Sequence, residues 1–232
     1  MTSLITKFAG AEVYSIAWRI KSARPDLKLE LQAMDISKEA VEFASRGLYS
    51  VKSGVRSSDL EDPATLERLT PEEVTELFDR REDVVKVKAW IQEGIKWQVG
   101  DAGDPNLADR LESQDIVIAN NFLCHMAPGQ AERCLRNIAR LVSPYGYLFV
   151  AGIDLDVRSK VARELGWKPV EELLDEVHEG DEWLRHLWPG HYAGLEPFDK
   201  ARTDWKLRYA AAFQLARVDD PDKGKSWPRS PA

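Results

Sequence analysis

Acidic and amide side chains follow three apolar stretches of this 232-residue chain, at positions where they could bind a ligand. Asp35 ends "LKLELQAMD", Asp101 follows "IKWQVG", and Asn120 and Asn121 follow "QDIVIA". A carboxylate can accept from both hydroxyls of a ribose, and another can accept from an exocyclic amine such as that of adenine. The pattern predicts a nucleoside site, although each aspartate taken alone is equally typical of a helix N-cap or a turn.

The stretch "ANNFLCHM" adds residues that could do acid–base chemistry. His125 could serve as acid, base or hydrogen-bond donor, or it could be a structural histidine of a loop. Cys124 is predicted to be a core residue rather than a nucleophile. Together with Cys134 it forms no disulfide framework and no zinc-binding spacing, so we predict no metal site.

A single glycine marks the turn before the first predicted helix, in "FAGAEVYSIAWRI". Gly10 would let the backbone approach a ligand closely, but the stretch lacks the G-x-G-x-x-G pattern of a phosphate-binding loop. Taken alone, it is equally typical of an ordinary helix start.

Predicted strands and helices alternate along the chain, beginning with the strand "SLIT" and the helix "VYSIAWRIKSA". A second strand ends at Asp35, and the helix after it has Ser37 as N-cap and stops at Gly47. Such alternation predicts a parallel, doubly wound sheet that binds ligands at the carboxyl ends of its strands. The late stretch "DWKLRYAAAFQLARV" is predicted to be a long antiparallel edge strand.

We expect one domain over residues 1–217 and a disordered tail over 218–232. Residues 50–92 are predicted to be a helical insertion, whose helix begins with a capping box. Residues 155–204 are predicted to be a helical and aromatic insertion on the substrate side. Its loop carries three candidate substrate contacts, or alternatively three structural aromatics: Trp188, His191 and Tyr192.

The overall composition restricts the class of partner. The net charge of −7 argues against a large nucleic-acid-binding face. The chain has no secretory signal and no apolar run of about 18 residues, so we expect a soluble, cytoplasmic protein without membrane contact. The oligomeric state is not predicted.

Five stretches follow a known pattern when taken in order: "AGAEVYSIAWRI", "LQAMDISKEAVEFASRGLY", "LTPEEVTELFDRR", "WQVGDAGDP" and "QDIVIANNFLCHMAPGQAERCLRNIARLVSPYGYLFVAG". They resemble the catalytic domain of CheR-type methyltransferases, the S-adenosylmethionine-dependent enzymes that esterify glutamates of chemoreceptors. The resemblance covers residues 8–152 and implies a Rossmann-like class I methyltransferase fold, with a mostly parallel sheet and an antiparallel C-terminal edge strand.

The resemblance implies contacts with each part of the cofactor. Gly10 and Glu12 would meet its methionine end, where a carboxylate can pair with the ammonium. Asp35 would bind the ribose and Asp101 the adenine amine. Further cofactor contacts would come from Ile36 beside the adenine, from Asn121, and from the apolar wall of Phe122 and Leu123.

The chain also departs from the family pattern. Asn120 replaces an arginine and His125 replaces a tyrosine near the active site, and both are candidate catalytic residues here. The chain starts at the first strand, so we expect no N-terminal helical domain. Residues 78–97 leave little room for the extra β-hairpins that tether the family's enzymes to receptors.

The leading hypothesis is a methyltransferase acting on an oxygen, either a carboxylate or a hydroxyl, of a small molecule or a protein side chain. One alternative is a non-catalytic module that binds cofactor or a partner through a decayed methyltransferase fold. A third hypothesis, a Rossmann oxidoreductase, is disfavoured because the G-x-G-x-x-G pattern is absent.

Overall fold

The structure is a computed structural model, and it describes residues 2–6, 10–51, 66, 69–179, 196 and 198–215. The three aromatic-loop candidates and the predicted tail lie outside the described residues: Trp188, His191, Tyr192 and 218–232.

Strands and helices alternate over most of the described chain. The strands are β1 (Thr2–Thr6), β2 (Leu31–Asp35), β3 (Leu48–Ser50), β4 (Phe78–Arg81), β5 (Val84–Val87), β6 (Ile95–Val99), β7 (Gln114–Asn120), β8 (Val142–Ala151), β9 (Lys168–Pro169) and β10 (Ala212–Gln214). The helices are α1 (Ala11–Ala23), α2 (Lys38–Arg46), α3 (Pro71–Leu77), α4 (Ala89–Gln92), α5 (Leu107–Arg110), α6 (Pro128–Ala139), α7 (Leu155–Glu164), α8 (Leu174–Glu179) and α9 (Trp205–Tyr209). None of the helices in the described part of the chain is long and apolar enough to cross a membrane.

The main sheet has the strand order β6-β2-β1-β7-β8-β10-β9. The first five strands pair in parallel, and β10 pairs antiparallel with β8. This is the Rossmann-like class I methyltransferase fold with its antiparallel C-terminal strand, as predicted. One detail differs from the prediction. The two-residue strand β9 pairs with the outer side of β10, so β10 is not the edge strand of the sheet. The parallel pairing brings the carboxyl ends of β6, β2, β1, β7 and β8 to one edge.

Helices α1 and α2 cover one face of the sheet and position the residues that follow β1 and β2. Val13 and Ala17 of α1 are buried in one cluster with Leu31 of β2. Ser37 caps α2 by accepting from the N–H of Ala40, and the helix ends at Gly47 with φ +60°. The predicted start and stop of α2 are thus confirmed.

Helices α6 and α7 pack on the opposite face, against the buried side chains of β7 and β8. Val117 and Leu148 lie at the centre of this second cluster and are fully buried. Helix α6 begins at Pro128, two residues before the predicted Gln130, because proline is favourable in the first turn, where its missing N–H costs nothing.

The insertion at residues 50–92 is not purely helical. Helix α3 has the predicted capping box but ends at Leu77. Strands β4 and β5 then form a hairpin, and β3 pairs with β5 to complete a three-stranded antiparallel sheet. The prediction that residues 78–97 leave little room for a β-hairpin is wrong, because Glu82 adopts φ +49° in a tight turn and β5 alternates exposed and buried residues.

The predicted long edge strand near the C-terminus is also wrong. Residues 205–209 form α9, and the strand β10 is limited to Ala212–Gln214. A helix places Trp205 and Tyr209 on the same side, four residues apart, and both rings pack on Phe198. This aromatic packing stabilises the helix over the strand that the apolar run predicts.

Candidate active site

The polar residues that follow the parallel strands lie together along one edge of the sheet. Asp35 ends β2, Asp101 follows β6 and Asn120 ends β7. The N–H of Gly100 donates to the carbonyl of Asp35 at 2.9 Å, which holds the ends of β6 and β2 side by side. Neighbouring strands are about 4.8 Å apart, so Asp35 and Asn120, with β1 between them, are separated by roughly 10 Å along the edge. The edge therefore presents acids and amides in a row.

Glu12 lies in the first turn of α1 and faces the end of β7. Its Oε1 accepts a hydrogen bond from the side-chain amide of Asn120. Burial raises the pKa of Glu12, and the hydrogen bond from Asn120 lowers it in part. No lysine or arginine in the described part of the chain forms an ion pair with Glu12. A half-buried carboxylate that no described cation neutralises is unfavourable, so this position suits a positively charged ligand group.

The oxygen of the Asn120 amide has no hydrogen-bond partner among the described residues. Its Oδ1 is buried and accepts no hydrogen bond within the described structure. Leaving such an acceptor unsatisfied costs about 1–3 kcal/mol. Glu12 and Asn120 thus present two acceptors where α1 begins beside β7.

Asp35 is fixed by the start of α2. Its Oδ1 accepts from the backbone N–H of Ser37 at 2.8 Å, which orients the carboxylate along the edge of the sheet. The next side chain, Ile36, is 71% exposed. An isoleucine this exposed beside a strand-end acid provides an apolar surface for a flat ring.

Asp101 begins a tight turn after β6. Its Oδ1 accepts from the N–H of Gly103 at 2.7 Å, and Asn137 of α6 binds the carbonyl of the same glycine at 3.0 Å. The carboxylate is exposed at the edge. Burial, with a smaller contribution from Asp101, raises the pKa of the Cys134 thiol to about 12, so Cys134 stays protonated and is no nucleophile.

Gly10 is required by the packing of the protein itself. It precedes α1 with φ +82°, and a Cβ there would lie 2.8 Å from Cβ of Ala44 and 3.1 Å from the ring of Trp97. Tyr14 completes the contact between the two helices by donating to the carbonyl of Ala44 at 2.6 Å. The sequence predicted that Gly10 lets the backbone approach a ligand closely. The structure shows that Gly10 also lets the backbone approach helix α2 closely. Tyr14, Ala44 and Trp97 were not predicted, since only their spatial packing identifies them.

Asn121 and the residues after it leave β7 in a strained turn. Asn121 has φ +56°, and its N–H donates to the carbonyl of Ala151 at 3.2 Å. Gly152 permits this approach, because a Cβ there would lie 2.7 Å from Cα of Asn121. Phe122 is half-buried, but Leu123 is 1% exposed and lies in the core. The role of Leu123 in the apolar wall beside the cofactor stays a prediction.

His125 ends the short 3-10 turn Leu123–His125 and is exposed. Its backbone N–H donates to the carbonyl of Phe122 at 3.2 Å. Cys124 is half-buried, and its thiol lies 3.8 Å from the carbonyl of Asn121 as a weak donor. His125 is thus exposed to solvent five residues after the end of β7 at Asn120.

Three comparisons place the chain among known proteins. Residues 8–157 match the family model of the CheR methyltransferase, SAM binding domain. "Probable biofilm formation methyltransferase WspC" of Pseudomonas putida is 28% identical over 177 residues, which are 74% of this chain and 38% of WspC. The chain thus spans little more than a third of the length of this relative.

Solved structures with a similar chain trace include two methyltransferases. The N-methyltransferase NodS from Bradyrhizobium japonicum, solved with S-adenosyl-L-homocysteine, is 16% identical with a TM-score of 0.41, over 73% of this chain and 66% of NodS. The CurJ carbon methyltransferase is 13% identical with a TM-score of 0.45, over 93% of this chain and 48% of CurJ.

The family match extends over well more than half of the chain and includes β2, β6 and β7 with their strand-end residues. It confirms the resemblance that residues 8–152 carry. The chain belongs to the CheR methyltransferase family, through the domain that binds S-adenosylmethionine.

Proposed function

We propose that this chain transfers a methyl group from S-adenosylmethionine to an oxygen atom, a carboxylate or a hydroxyl, of a small molecule or a protein side chain. The row of Glu12, Asp35, Asp101 and Asn120 along one edge of the sheet carries this proposal. A glutamate carboxylate of a protein is the first acceptor to test, because the family resemblance implies that substrate.

The charge of the strand-end residues fits this cofactor. Glu12 would hold its ammonium, Asp35 its ribose hydroxyls and Asp101 its adenine amine. Ile36 and Phe122 would supply apolar contact to the rings. When bound, the cofactor supplies a methyl group on a positively charged sulfur, which a row of carboxylates favours electrostatically.

The protein's share of the reaction is alignment and exclusion of water. In-line displacement requires donor and acceptor atoms within about 3–3.5 Å. A carboxylate acceptor is already ionised near neutral pH and needs no base, whereas a hydroxyl needs one. We propose His125 as that base or as a group that orients the acceptor, because its exposed imidazole follows the turn at Asn121.

A second candidate function is a non-catalytic module that binds the cofactor or a partner. Asn120 and His125 favour it, since they replace the arginine and the tyrosine of the family pattern and so remove a cation and a phenol from the site. In this reading the chain would bind the cofactor without turnover.

Calorimetry with S-adenosylhomocysteine tests the binding step. We expect saturable one-to-one binding that Asp35→Ala weakens at least tenfold, through loss of the ribose acceptor. Absence of wild-type binding would contradict the proposal. Tight binding of NADH instead would support the oxidoreductase hypothesis.

Transfer of a radiolabelled methyl group tests the chemistry. Methyl esters release volatile methanol in mild base, whereas methyl ethers and methylamines do not, so base treatment of labelled acceptors identifies the atom methylated. Release of methanol would identify a carboxylate acceptor. Binding without transfer to any carboxylate or hydroxyl acceptor would favour the non-catalytic module.

A further inference from the structure

Asn120 differs from the other strand-end residues because only one of its two side-chain amide atoms has a hydrogen-bond partner among the described residues. Its Nδ2 donates to Glu12, whereas its buried Oδ1 has no partner within the described structure. Buried amide oxygens in native proteins are nearly always hydrogen-bonded, so an orphan at a ligand-binding edge indicates a missing donor.

The donor that fits is a cation. Asn120 orients Glu12 with its N–H group, so the carboxylate and the orphan oxygen belong to one rigid pair of acceptors. A hydroxyl or amide ligand would satisfy Oδ1 but leave the charge of Glu12 uncompensated, since no described basic side chain pairs with it. An ammonium group has three N–H donors and a positive charge, and so satisfies both atoms.

We infer that Asn120 is a cofactor-binding residue whose Oδ1 accepts a hydrogen bond from the cofactor's ammonium, beside Glu12. This inference rests on the proposed function and replaces the catalytic role expected for Asn120 from the sequence. The Nδ2 of Asn120 also fixes the rotamer of Glu12, so the asparagine both binds the cofactor and positions the glutamate.

A chemical double-mutant cycle tests the inference by calorimetry. The two ligands are S-adenosylhomocysteine and its deaminated analogue, in which hydrogen replaces the amino group. We expect Asn120→Ala to weaken S-adenosylhomocysteine binding about tenfold, as loss of one hydrogen bond to a charged group does. Binding of the deaminated analogue should change less than threefold. Asn106→Ala, an exposed asparagine whose side chain makes no capping bond, is the matched control and should alter neither affinity.

The outcomes separate this inference from the proposed function. If wild type binds neither ligand, the proposed function fails and the inference with it. If wild type binds but Asn120→Ala weakens both ligands equally, Asn120 is structural and the inference is overturned. It is likewise overturned if the variant binds S-adenosylhomocysteine normally.

A second variant protects the test against a folding defect of Asn120→Ala. Asn120→Asp keeps the volume of the side chain and an acceptor toward the ammonium; it loses the donor to Glu12 but adds a second negative charge beside it, so two carboxylates would face the ammonium. We expect its preference for S-adenosylhomocysteine over the deaminated analogue to be at least as large as in wild type. A smaller preference would contradict the inference.

Discussion

The side-chain amide of Asn120 donates a hydrogen bond to Glu12, and this bond ties the end of β7 to the first turn of α1. Residues that are 108 positions apart in the chain thereby form one unit at the edge of the sheet. The unit is acidic, and within the described residues the Asn120 Oδ1 accepts no hydrogen bond and Glu12 has no basic partner, so a cationic ligand could pair with both atoms.

The first prediction is that Glu12→Gln stabilises the ligand-free protein but weakens its binding of S-adenosylhomocysteine. A neutral amide removes the cost of burying a charge and still accepts from Asn120. The ligand's ammonium, however, loses its ionic partner, worth about 1.5–3 kcal/mol or tenfold to about a hundredfold in affinity. Thermal unfolding and calorimetry measure the two effects. Equal loss of stability and of affinity would instead identify Glu12 as a purely structural residue.

The second prediction concerns pH. Burial raises the pKa of Glu12 above its ordinary value, so the folded protein holds this proton more tightly than the unfolded chain does. Relative to Glu12→Gln, the free energy of unfolding of wild type should therefore fall as pH rises from the ordinary value through the raised one. Affinity for S-adenosylhomocysteine should rise through the same window, because the ammonium requires the carboxylate form.

Calorimetry at several pH values, in buffers of different ionisation enthalpy, measures the proton released on binding. The Glu12→Gln variant should release no proton in that window and should show a flat affinity. A wild-type affinity that falls as pH rises would contradict the assignment of Glu12 to the ammonium.

Local sequence signals predicted much of the fold, because caps and strand ends depend on neighbouring residues. Ser37, Gly47 and the capping box at Thr70 placed their helix ends correctly. Asp35 and Asn120 were recognisable because each ends an apolar run, and parallel pairing then brings such ends to one edge. The contact between Glu12 and Asn120 was not predictable, since it depends on how α1 lies against β7.

The errors have a common origin in tertiary contacts. "FDRREDVVKV" carries few turn residues, and its hairpin is stabilised by burial of Val85 and Val87. The apolar run at residues 205–215 forms a helix and a short strand instead of one long strand, because Trp205 and Tyr209 both pack on the ring of Phe198. In both cases distant packing overrides the local pattern.

The third prediction compares two substitutions of Asp35. Asp35→Asn keeps an oxygen that can accept from the N–H of Ser37, so stability should change by less than about 1 kcal/mol. The single amide oxygen would already accept from Ser37 and has two lone pairs, so it cannot also accept from both ribose hydroxyls, and affinity for S-adenosylhomocysteine should fall at least tenfold. Asp35→Ala should lose as much affinity and also some stability, because α2 loses this contact. Urea unfolding and calorimetry on both variants check this order.

The fourth prediction separates steric crowding from backbone strain at glycine. Gly10 and Gly166 adopt φ +82° and +66°, but a Cβ at Gly10 would meet Ala44 at 2.8 Å, whereas a Cβ at Gly166 would meet nothing within 4 Å. Gly166→Ala should cost about 1 kcal/mol of unfolding free energy from the left-handed backbone alone. Gly10→Ala should cost about 3 kcal/mol, because crowding against α2 is added. Equal costs would mean that the α1–α2 contact relaxes freely.

The fifth prediction concerns the ion pair that fastens α9. Glu196 accepts from Arg208 at 2.6 Å and from the hydroxyl of Tyr209 at 2.8 Å, and Arg208 also binds Asp156 at 2.7 Å. The hydrogen bonds from Arg208 lower the pKa of Glu196 to about 2. Because Arg208 is largely buried, removing its partner should be costly, although the partial exposure of Glu196 moderates the effect.

Glu196→Gln should therefore lose about 1–3 kcal/mol of unfolding free energy at pH 7, measured in urea. A lowered pKa stabilises the fold above the ordinary value and ceases to do so as pH falls toward about 2, so wild type and variant should converge in acid. Asp175→Asn is the control, since Asp175 and its partner Lys200 are both half exposed and their pair should contribute less than about 1 kcal/mol. A constant difference between wild type and Glu196→Gln at every pH would show that the charge of Glu196 contributes nothing, and that packing alone holds α9 in place.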